Sequence, residues 1–362
     1  MVVTALAPHH TVPLEVRRAA PFGPNLFASV MGTGIVATAA ASLPLHVPGL
    51  RTAATYVWAL DAALLVFLTV AAFRTWTWAT VRAQLRDPVM SQFWGAPAMA
   101  LMTVGTGTLL LGADLIGLPA ALAIDWALWT LGTALGLVTS VLVPLRMFGS
   151  GEAAFAGWLM PVVPPMVSSA SGALLAAHLP PGQFQQAMVL ICYALFGVSL
   201  FATVCLVPQI WQRLVQQGPG DAVPALWIVL GPLGQSITAA NLLAGVAVLP
   251  GQNAFAVLYG TTTWGFALLW VVIAAAATVR VARRGLPFAL TWWSFVFPLG
   301  TLVTGTSALA VRVHSLMFTV VSVVLYVALV LAWGTVAVRT IASQRAYWAA
   351  FAGSGSRLPS NQ

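Results

Sequence analysis

Long apolar runs separated by short polar segments extend along almost the whole sequence. Ten of these runs reach about 20 residues, the length that an α-helix needs to cross the hydrocarbon core of a bilayer. The pattern therefore predicts an all-α integral membrane protein with ten transmembrane helices. The predicted spans are residues 24–42, 55–73, 93–112, 123–146, 158–178, 187–210, 224–249, 254–279, 292–311 and 316–339.

The composition favours a single membrane domain. Of the 362 residues, 60% are hydrophobic and only 6% are charged, whereas soluble domains carry about 25% charged residues. This composition excludes a sizeable soluble domain. We therefore expect a transmembrane domain over residues 24–340, flanked by a cytoplasmic N-terminal segment at 1–23 and a cytoplasmic tail at 341–362.

The distribution of basic residues predicts how the chain is oriented. All 15 basic residues are arginines scattered between the apolar runs, so the net charge of +8 does not indicate a nucleic-acid-binding patch. If both termini are cytoplasmic, only Arg51 and Arg312 fall outside and the cytoplasmic side holds all the others. This asymmetry follows the positive-inside rule, and we expect a multi-pass protein of the cell membrane.

The sequence shows no pattern typical of an enzyme, a cofactor site or a metal site. Cys192 and Cys205 share one predicted helix, which separates them by about 20 Å at 1.5 Å per residue. The segment "GTGIVA" at residues 32–37 fits a dinucleotide-binding glycine pattern but lies within an apolar span with no preceding strand. We expect no cofactor, no metal and no catalytic residue. A membrane redox enzyme is an alternative that a haem absorbance band would reveal.

The odd-numbered spans carry an internal repeat. Pro24 precedes Gly32 by eight residues in span one, and Pro97 precedes Gly105 by the same distance in span three. Spans five, seven and nine also have a proline followed about two helical turns later by small and hydroxyl residues. These prolines are Pro164, Pro232 and Pro298. The even spans are bulky and branched, so we expect them to face lipid and the repeating unit to be one helical hairpin.

Two interpretations of the repeat are open. A proline within a membrane helix frees a carbonyl group that needs a new partner or a water-lined cavity, so we expect kinks at Pro24, Pro97, Pro164 and Pro232. Small residues also let helices pack closely. The odd helices therefore form either a packed inner core alone or the wall of a conduit. In the second case the lining is Thr33, Gly34, Thr106, Gly107, Ser168, Ser169, Ser236, Thr238, Thr304 and Thr306.

Four motifs point to a known family. The segments "MGTGIVA" in span one, "MPVVPP" in span five, "GPLGQS" in span seven and "WWSFVFPLG" in span nine resemble the tellurite-resistance/dicarboxylate transporter family. This family includes fungal malate permeases and sulfite efflux pumps and is related to plant slow-type anion channels. The resemblance implies five helical hairpins in a quasi-fivefold ring, with odd helices lining a central pore. It also implies a homotrimer with one pore per protomer.

The resemblance also assigns a gate. In the slow-type anion channels the aromatic residue before the proline of the ninth helix plugs the pore, and Phe297 stands at the matching position here. In this interpretation Pro298 bends the helix and presents the ring to the pore axis. A hydrophobic constriction of this kind blocks ions by dewetting. The alternative is that Phe297 is a packed core aromatic.

The expected function is transmembrane transport of small anions. The resemblance implies a C4-dicarboxylate such as malate, or sulfite, tellurite-related or other oxyanions. The predicted odd spans contain no charged residue, which favours weak binding and passive, channel-like flux over a carrier. A proton-coupled dicarboxylate carrier that uses Asp61 or Asp125 is the alternative. Otherwise we expect each of these two aspartates to hydrogen-bond a neighbouring helix or to reach the membrane interface. A mildly basic outer vestibule is predicted from His46, Arg51, His178, Arg312 and His314 against Asp114.

Overall fold

The computed structural model describes residues 22–149, 151, 154–246 and 248–354. Nearly all of the predicted cytoplasmic segment 1–23 and the last part of the tail 341–362 lie outside these ranges. The described residues form helices and contain no strand. We label ten helices: α1 Phe27–Ser42, α2 Leu50–Thr75, α3 Gly95–Gly107, α4 Leu118–Met147, α5 Pro164–Ala177, α6 Gln183–Gln217, α7 Leu230–Val246, α8 Gln252–Ala282, α9 Phe297–Val313 and α10 Leu316–Ser354.

Nine helical stretches of the described residues are long and apolar enough to cross a membrane. They correspond to nine of the ten predicted spans. The fifth prediction, 158–178, differs because the chain there forms a short 3₁₀ segment, Ala156–Leu159, and then the 14-residue helix α5. Pro161, Pro164 and Pro165 explain the break, because a proline lacks the N–H of an internal helical turn and disfavours helix in the residue before it.

The repeated prolines begin the odd helices and do not kink them. Each odd helix is preceded by a 3₁₀ segment, and its proline stands in that segment or in the first turn of the helix. The kinks predicted at Pro24, Pro97, Pro164 and Pro232, and the bend at Pro298, are therefore absent from the helix interiors. A first turn tolerates proline because its N–H groups have no partner within the helix. The irregular turn lies elsewhere, in the π-helical segment Thr108–Gly112 that continues α3.

Burial alternates between odd and even helices. In an 18-residue apolar part of each of the nine long stretches, between 61% and 83% of the residues are buried in the odd spans, against 17% to 33% in the even spans. Helix α5 is also mostly buried. Large apolar side chains such as Phe67, Phe201 and Leu331 are exposed on the even helices. The expectation that the even helices face lipid agrees with this pattern, since such side chains suit a hydrocarbon environment.

The odd helices pack against one another in a regular order. Helix α1 contacts α3, α3 contacts α5, α5 contacts α7, α7 contacts α9, and α9 contacts α1. Each even helix packs against the odd helix that precedes it in the chain. Helices α7 and α9 approach most closely at Gly234 and Gly305, where a Cβ atom on either glycine would meet backbone atoms of the other helix. Small residues at helix contacts permit this approach.

Candidate functional site

A cavity of about 490 Å³ is lined by residues of all five odd helices. Most of its wall comes from the middle and C-terminal parts of these helices, and Phe297 contributes from the start of α9. The exposed residue His314 lies at its rim. The wall consists of Ile35, Thr38, Ala41, Ser42, Thr103, Thr106, Leu110, Val167, Ala170, Ser171, Leu174, Gln235, Thr238, Asn241, Leu242, Phe297, Thr304, Ala308, Val311, Arg312 and His314.

Three of the predicted lining residues lie in the cavity wall. They are Thr106, Thr238 and Thr304. The last two contact each other across the α7–α9 interface, with 2.8 Å between their hydroxyl oxygens. The polar wall residues that the sequence prediction omitted are Thr38, Ser42, Thr103, Ser171, Gln235 and Asn241. Gln235 is adjacent to the predicted Ser236, and Ser171 is two residues from the predicted Ser169, so the motifs indicated these helical turns but not the face that lines the cavity.

Other predicted lining hydroxyls point away from the cavity and bind even helices. Trp333 Nε1 donates to Thr33 Oγ1 at 3.1 Å, and Trp264 Nε1 donates to Thr306 Oγ1 at 3.1 Å. The hydroxyl of Tyr259 likewise donates to Ser236 Oγ at 2.8 Å. The remaining predicted residues also lie outside the wall: Ser168 bonds Thr133, Ser236 bonds Tyr259, Ser169 is fully buried, Gly34 faces Asp61, and Gly107 faces Trp58.

Most hydroxyl protons of the wall are already committed to carbonyl groups. Thr38 Oγ1 donates to Gly34 O, Thr103 Oγ1 donates to Met99 O at 2.7 Å, and Ser171 Oγ donates to a carbonyl of α5 at 2.8 Å. Such bonds to the carbonyl four residues earlier are usual for serine and threonine in helices. These hydroxyl oxygens therefore present mainly lone pairs to the cavity. Thr106 differs, because its hydroxyl forms no hydrogen bond to a described residue, so it and the nitrogen-bearing side chains of the wall are the available donors for an anion.

Phe297 separates the cavity from a second, much smaller void. It is the first residue of α9, is only 2% exposed, and belongs to the walls of both spaces. The small void measures about 10 Å³. Its other wall residues come from the N-terminal ends of the odd helices and the segments before them: Ala28, Met31, Phe93, Met99, Met160, Val163, Ile228, Gly231, Ser294 and Pro298.

An arginine lies in the cavity wall, contrary to the expectation of an uncharged inner lining. The predicted ninth span ended at residue 311, whereas α9 continues to Val313 and so includes Arg312. Arg312 Nε donates to Asn241 Oδ1 at 3.4 Å, Nη2 donates to the carbonyl oxygen of Asn241, and Nη1 donates to Asn253 Oδ1 at 2.7 Å. These bonds hold the guanidinium in one orientation at the mouth of the cavity.

The other residues of the predicted vestibule contribute less positive charge. Arg51 forms an ion pair with Asp114 at 2.6 Å and also donates to Leu110 O at 2.9 Å. Its charge is therefore neutralised, unlike that of Arg312, whose hydrogen-bond partners are neutral. Leu110 lies in the π-helical turn, where a carbonyl is free to accept an external bond. His46 and His178 are exposed and lie outside the cavity wall.

The two membrane aspartates lie behind the odd helices. Asp61 and Asp125 are both 0% exposed, and neither carboxyl group has a hydrogen-bond partner among the described residues. The expected bond to a neighbouring helix is therefore missing in both cases. Asp61 packs against Gly34 and Asp125 packs against Gly105, where a Cβ atom would overlap the carboxyl oxygen. Neither aspartate belongs to the cavity wall.

Comparison with known proteins identifies the family. The family model described as "Voltage-dependent anion channel" (SLAC1) matches residues 21–341. An uncharacterized transporter of Methanocaldococcus jannaschii is 30% identical over 295 residues, covering 79% of this chain and 82% of that protein. The sulfite efflux pump SSU1 of Trichophyton rubrum is 28% identical over 341 residues, covering 88% of this chain and 90% of that protein. The same identity and coverage hold for SSU1 of Arthroderma otae. Because the family model spans most of the chain, this protein belongs to the SLAC1 family of membrane anion transporters and channels, as the motif resemblance predicted, and it is not an enzyme.

Proposed function

We propose that the protein conducts small oxyanions, sulfite foremost, along the axis between its five odd helices and that Phe297 closes this path. One observation carries the proposal: the Phe297 ring lies in the walls of both the 490 Å³ cavity and the small void beyond it. In this proposal, a side chain that borders both spaces controls passage between them. The packing role considered for Phe297 would not require contact with either space.

The void beyond Phe297 is too small for an anion to pass. A volume of about 10 Å³ is near the lower limit for one water molecule. The wall there is formed mostly by methionine, valine and aromatic side chains, so a hydrated ion meets an apolar constriction. The described conformation therefore corresponds to a closed path in this proposal. A change of the Phe297 rotamer would join the two spaces.

We extend the proposal to the architecture and the orientation. The odd helices contact one another in the sequence α1, α3, α5, α7, α9 and back to α1. This closed arrangement supports five hairpins in a quasi-fivefold ring, with α5 as the tenth membrane helix. The arginine distribution supports cytoplasmic termini, which would open the cavity to the outside. The cell membrane and a homotrimer, each protomer with its own pore, are carried over from the family resemblance. Exposed apolar residues on the even helices are compatible with lipid and with neighbouring protomers.

The substrate proposal gives sulfite precedence over malate. Two of the relatives described above are sulfite efflux pumps that align over 88% of this chain. A C4-dicarboxylate such as malate is the second substrate class, since a cavity of about 490 Å³ accommodates either anion. Passive flux is favoured over proton coupling, because Asp61 and Asp125 are outside the cavity wall and so do not touch an anion inside it.

Flux measurements in liposomes test this proposal. We expect sulfite, malate and chloride to move down their electrochemical gradients in proteoliposomes at alkaline pH, with sulfite fastest and empty liposomes as the control. A membrane potential set by a potassium gradient should alter the flux, because passive anion movement carries charge. Asp61→Asn and Asp125→Asn should retain this behaviour. Accumulation driven by a pH gradient, and abolished by either aspartate substitution, would instead establish the proton-coupled carrier.

A further inference from the structure

The guanidinium of Arg312 is oriented by three hydrogen bonds and retains free donors. Asn241 accepts from Nε and Nη2 through its side-chain and main-chain oxygens, and Asn253 accepts from Nη1 at 2.7 Å. A guanidinium carries five N–H donors. Three are used by these bonds, so two remain for a ligand, one on each terminal nitrogen. Asn241 and Arg312 both belong to the cavity wall.

The positive charge of Arg312 has no carboxylate partner in the part of the chain that the structure describes. Its recorded partners are amide and carbonyl oxygens, which accept hydrogen bonds without cancelling the charge. Arg51 at the same end of the helices differs, because Asp114 neutralises it at 2.6 Å. A cation at the mouth of a cavity with low-dielectric walls raises the local concentration of anions.

The described cavity wall offers few other donors. The hydroxyl protons of Thr38, Thr103 and Ser171 are committed to helix carbonyls. The side chain of Gln235 is 8% exposed and forms no hydrogen bond to a described residue, so its amide is available. Gln235 lies six residues before Asn241 on α7, about 9 Å deeper along the helix. The Thr106 hydroxyl is also without a described acceptor, so Thr106 and Gln235 are neutral donors and Arg312 is the arginine donor of the wall.

We propose that Arg312, positioned by Asn241 and Asn253, forms an oxyanion-selecting subsite at the mouth of the cavity. This inference rests on the proposed function, in that the subsite would serve the transported anion. A planar guanidinium binds two oxygens of one anion through parallel N–H donors, which suits sulfite and carboxylates. A chloride ion is a single atom, so it offers no second acceptor atom to the two parallel N–H donors. The subsite therefore supplies selectivity as well as attraction.

Substitutions of Arg312 test the paired N–H donors of the guanidinium separately from its charge. Sulfite and chloride fluxes are measured in liposomes for wild type, Arg312→Gln, Arg312→Lys and Arg51→Gln. We expect Arg312→Gln to raise the half-saturating sulfite concentration about tenfold or more, since bonds to charged groups are the stronger ones. Arg312→Lys keeps the charge and the chloride flux but lowers the sulfite-to-chloride flux ratio towards that of Arg312→Gln. Arg51→Gln removes an arginine at the same end that is paired with Asp114 and lies outside the cavity wall, so it should leave the ratio unchanged.

A binding measurement separates this proposal from the transport proposal. Sulfite should raise the melting midpoint of the purified wild type above its value in chloride of equal ionic strength, because a ligand that binds the native state stabilises it. Arg312→Gln should abolish this shift. Asn253→Ala removes one orienting bond at an exposed position, so it should weaken the sulfite shift and remains informative if an Arg312 variant does not fold.

The outcomes distinguish the two proposals. A sulfite-to-chloride ratio and a sulfite-dependent melting shift that persist in Arg312→Lys and Arg312→Gln would overturn the subsite while leaving anion transport intact. Equal weakening of both anions in both variants would also overturn it, because Arg312 would then act only through long-range charge. Absence of anion flux in both wild type and Phe297→Ala, with an Arg312-dependent melting shift, would refute the transport proposal and uphold the binding site.

Discussion

Replacement of Phe297 by alanine is expected to increase sulfite flux through the reconstituted protein about tenfold or more, equivalent to a barrier lower by about 1.4 kcal/mol. The reason is geometric. The ring is 2% exposed and borders both the large cavity and the 10 Å³ void, so its removal joins the two spaces. Pro298, in the first turn of α9, restricts the backbone of the residue before it, so we expect the substitution to change mainly the side chain. Flux is measured in liposomes containing equal amounts of each protein.

Phe318→Ala is the matched control for this experiment. Phe318 is also buried, at 5% exposure, and its ring packs edge-to-face on Trp264 with 4.9 Å between centroids. It lies in α10 and outside the cavity wall, so its truncation costs stability without opening the path. An increase confined to Phe297→Ala supports the gate. Equal increases in both variants, or none in Phe297→Ala, would make Phe297 a packing residue.

The distinction between inner and outer helices could be predicted from the sequence. Even spans contain bulky branched residues, whereas odd spans contain glycine, alanine and hydroxyl residues, and side-chain size decides which helices approach closely in a membrane. Helix ends were harder to predict. Parts of the 3₁₀ segments before the odd helices fall within the predicted apolar spans, so hydropathy could not show that the prolines stand at helix starts.

The identity of the cavity-lining residues depended on helix rotation, which a motif does not specify. Thr33 and Thr106 occupy the same place in the repeated Gly-Thr-Gly segment. In the structure Thr106 lies in the cavity wall, while Thr33 accepts a hydrogen bond from Trp333. One residue corresponds to about 100° of rotation, so small differences in helix packing decide which hydroxyl faces the cavity.

The contribution of Arg312 to the cavity wall could not be predicted for a related reason. Its position near the end of an apolar run is typical of a solvated loop residue. The side chain instead folds back against Asn241 and Asn253, which lie 71 and 59 residues earlier in the chain. Contacts over such separations depend on the helix arrangement, so local sequence patterns do not predict them. The same holds for the pairing of Arg51 with Asp114, which removes one of the two outer arginines from the vestibule.

Gly234→Ala is expected to destabilise the protein by about 2 kcal/mol or more, because the inserted methyl group meets backbone atoms that have no free rotamer. A Cβ atom on Gly234 would lie 2.5 Å from the carbonyl carbon of Thr301 and 2.7 Å from its oxygen. Helices α7 and α9 must therefore separate. That separation would break the bond from Thr301 Oγ1 to Leu230 O, now 3.1 Å, and the contact between Thr238 and Thr304. The measurement is the melting midpoint of the purified protein.

Gly231→Ala provides the control on the same helix, one turn earlier. No atom lies within 4 Å of a Cβ built at Gly231, and alanine favours a helix over glycine by up to about 1 kcal/mol. Its melting midpoint should therefore be unchanged or slightly higher. Equal losses in both variants would show that α7 tolerates no methyl group in general, and no loss in Gly234→Ala would show that the α7–α9 contact is not tight. A selective loss at Gly234 would establish that this contact fixes α9, the helix that begins with Phe297 and ends beside Arg312.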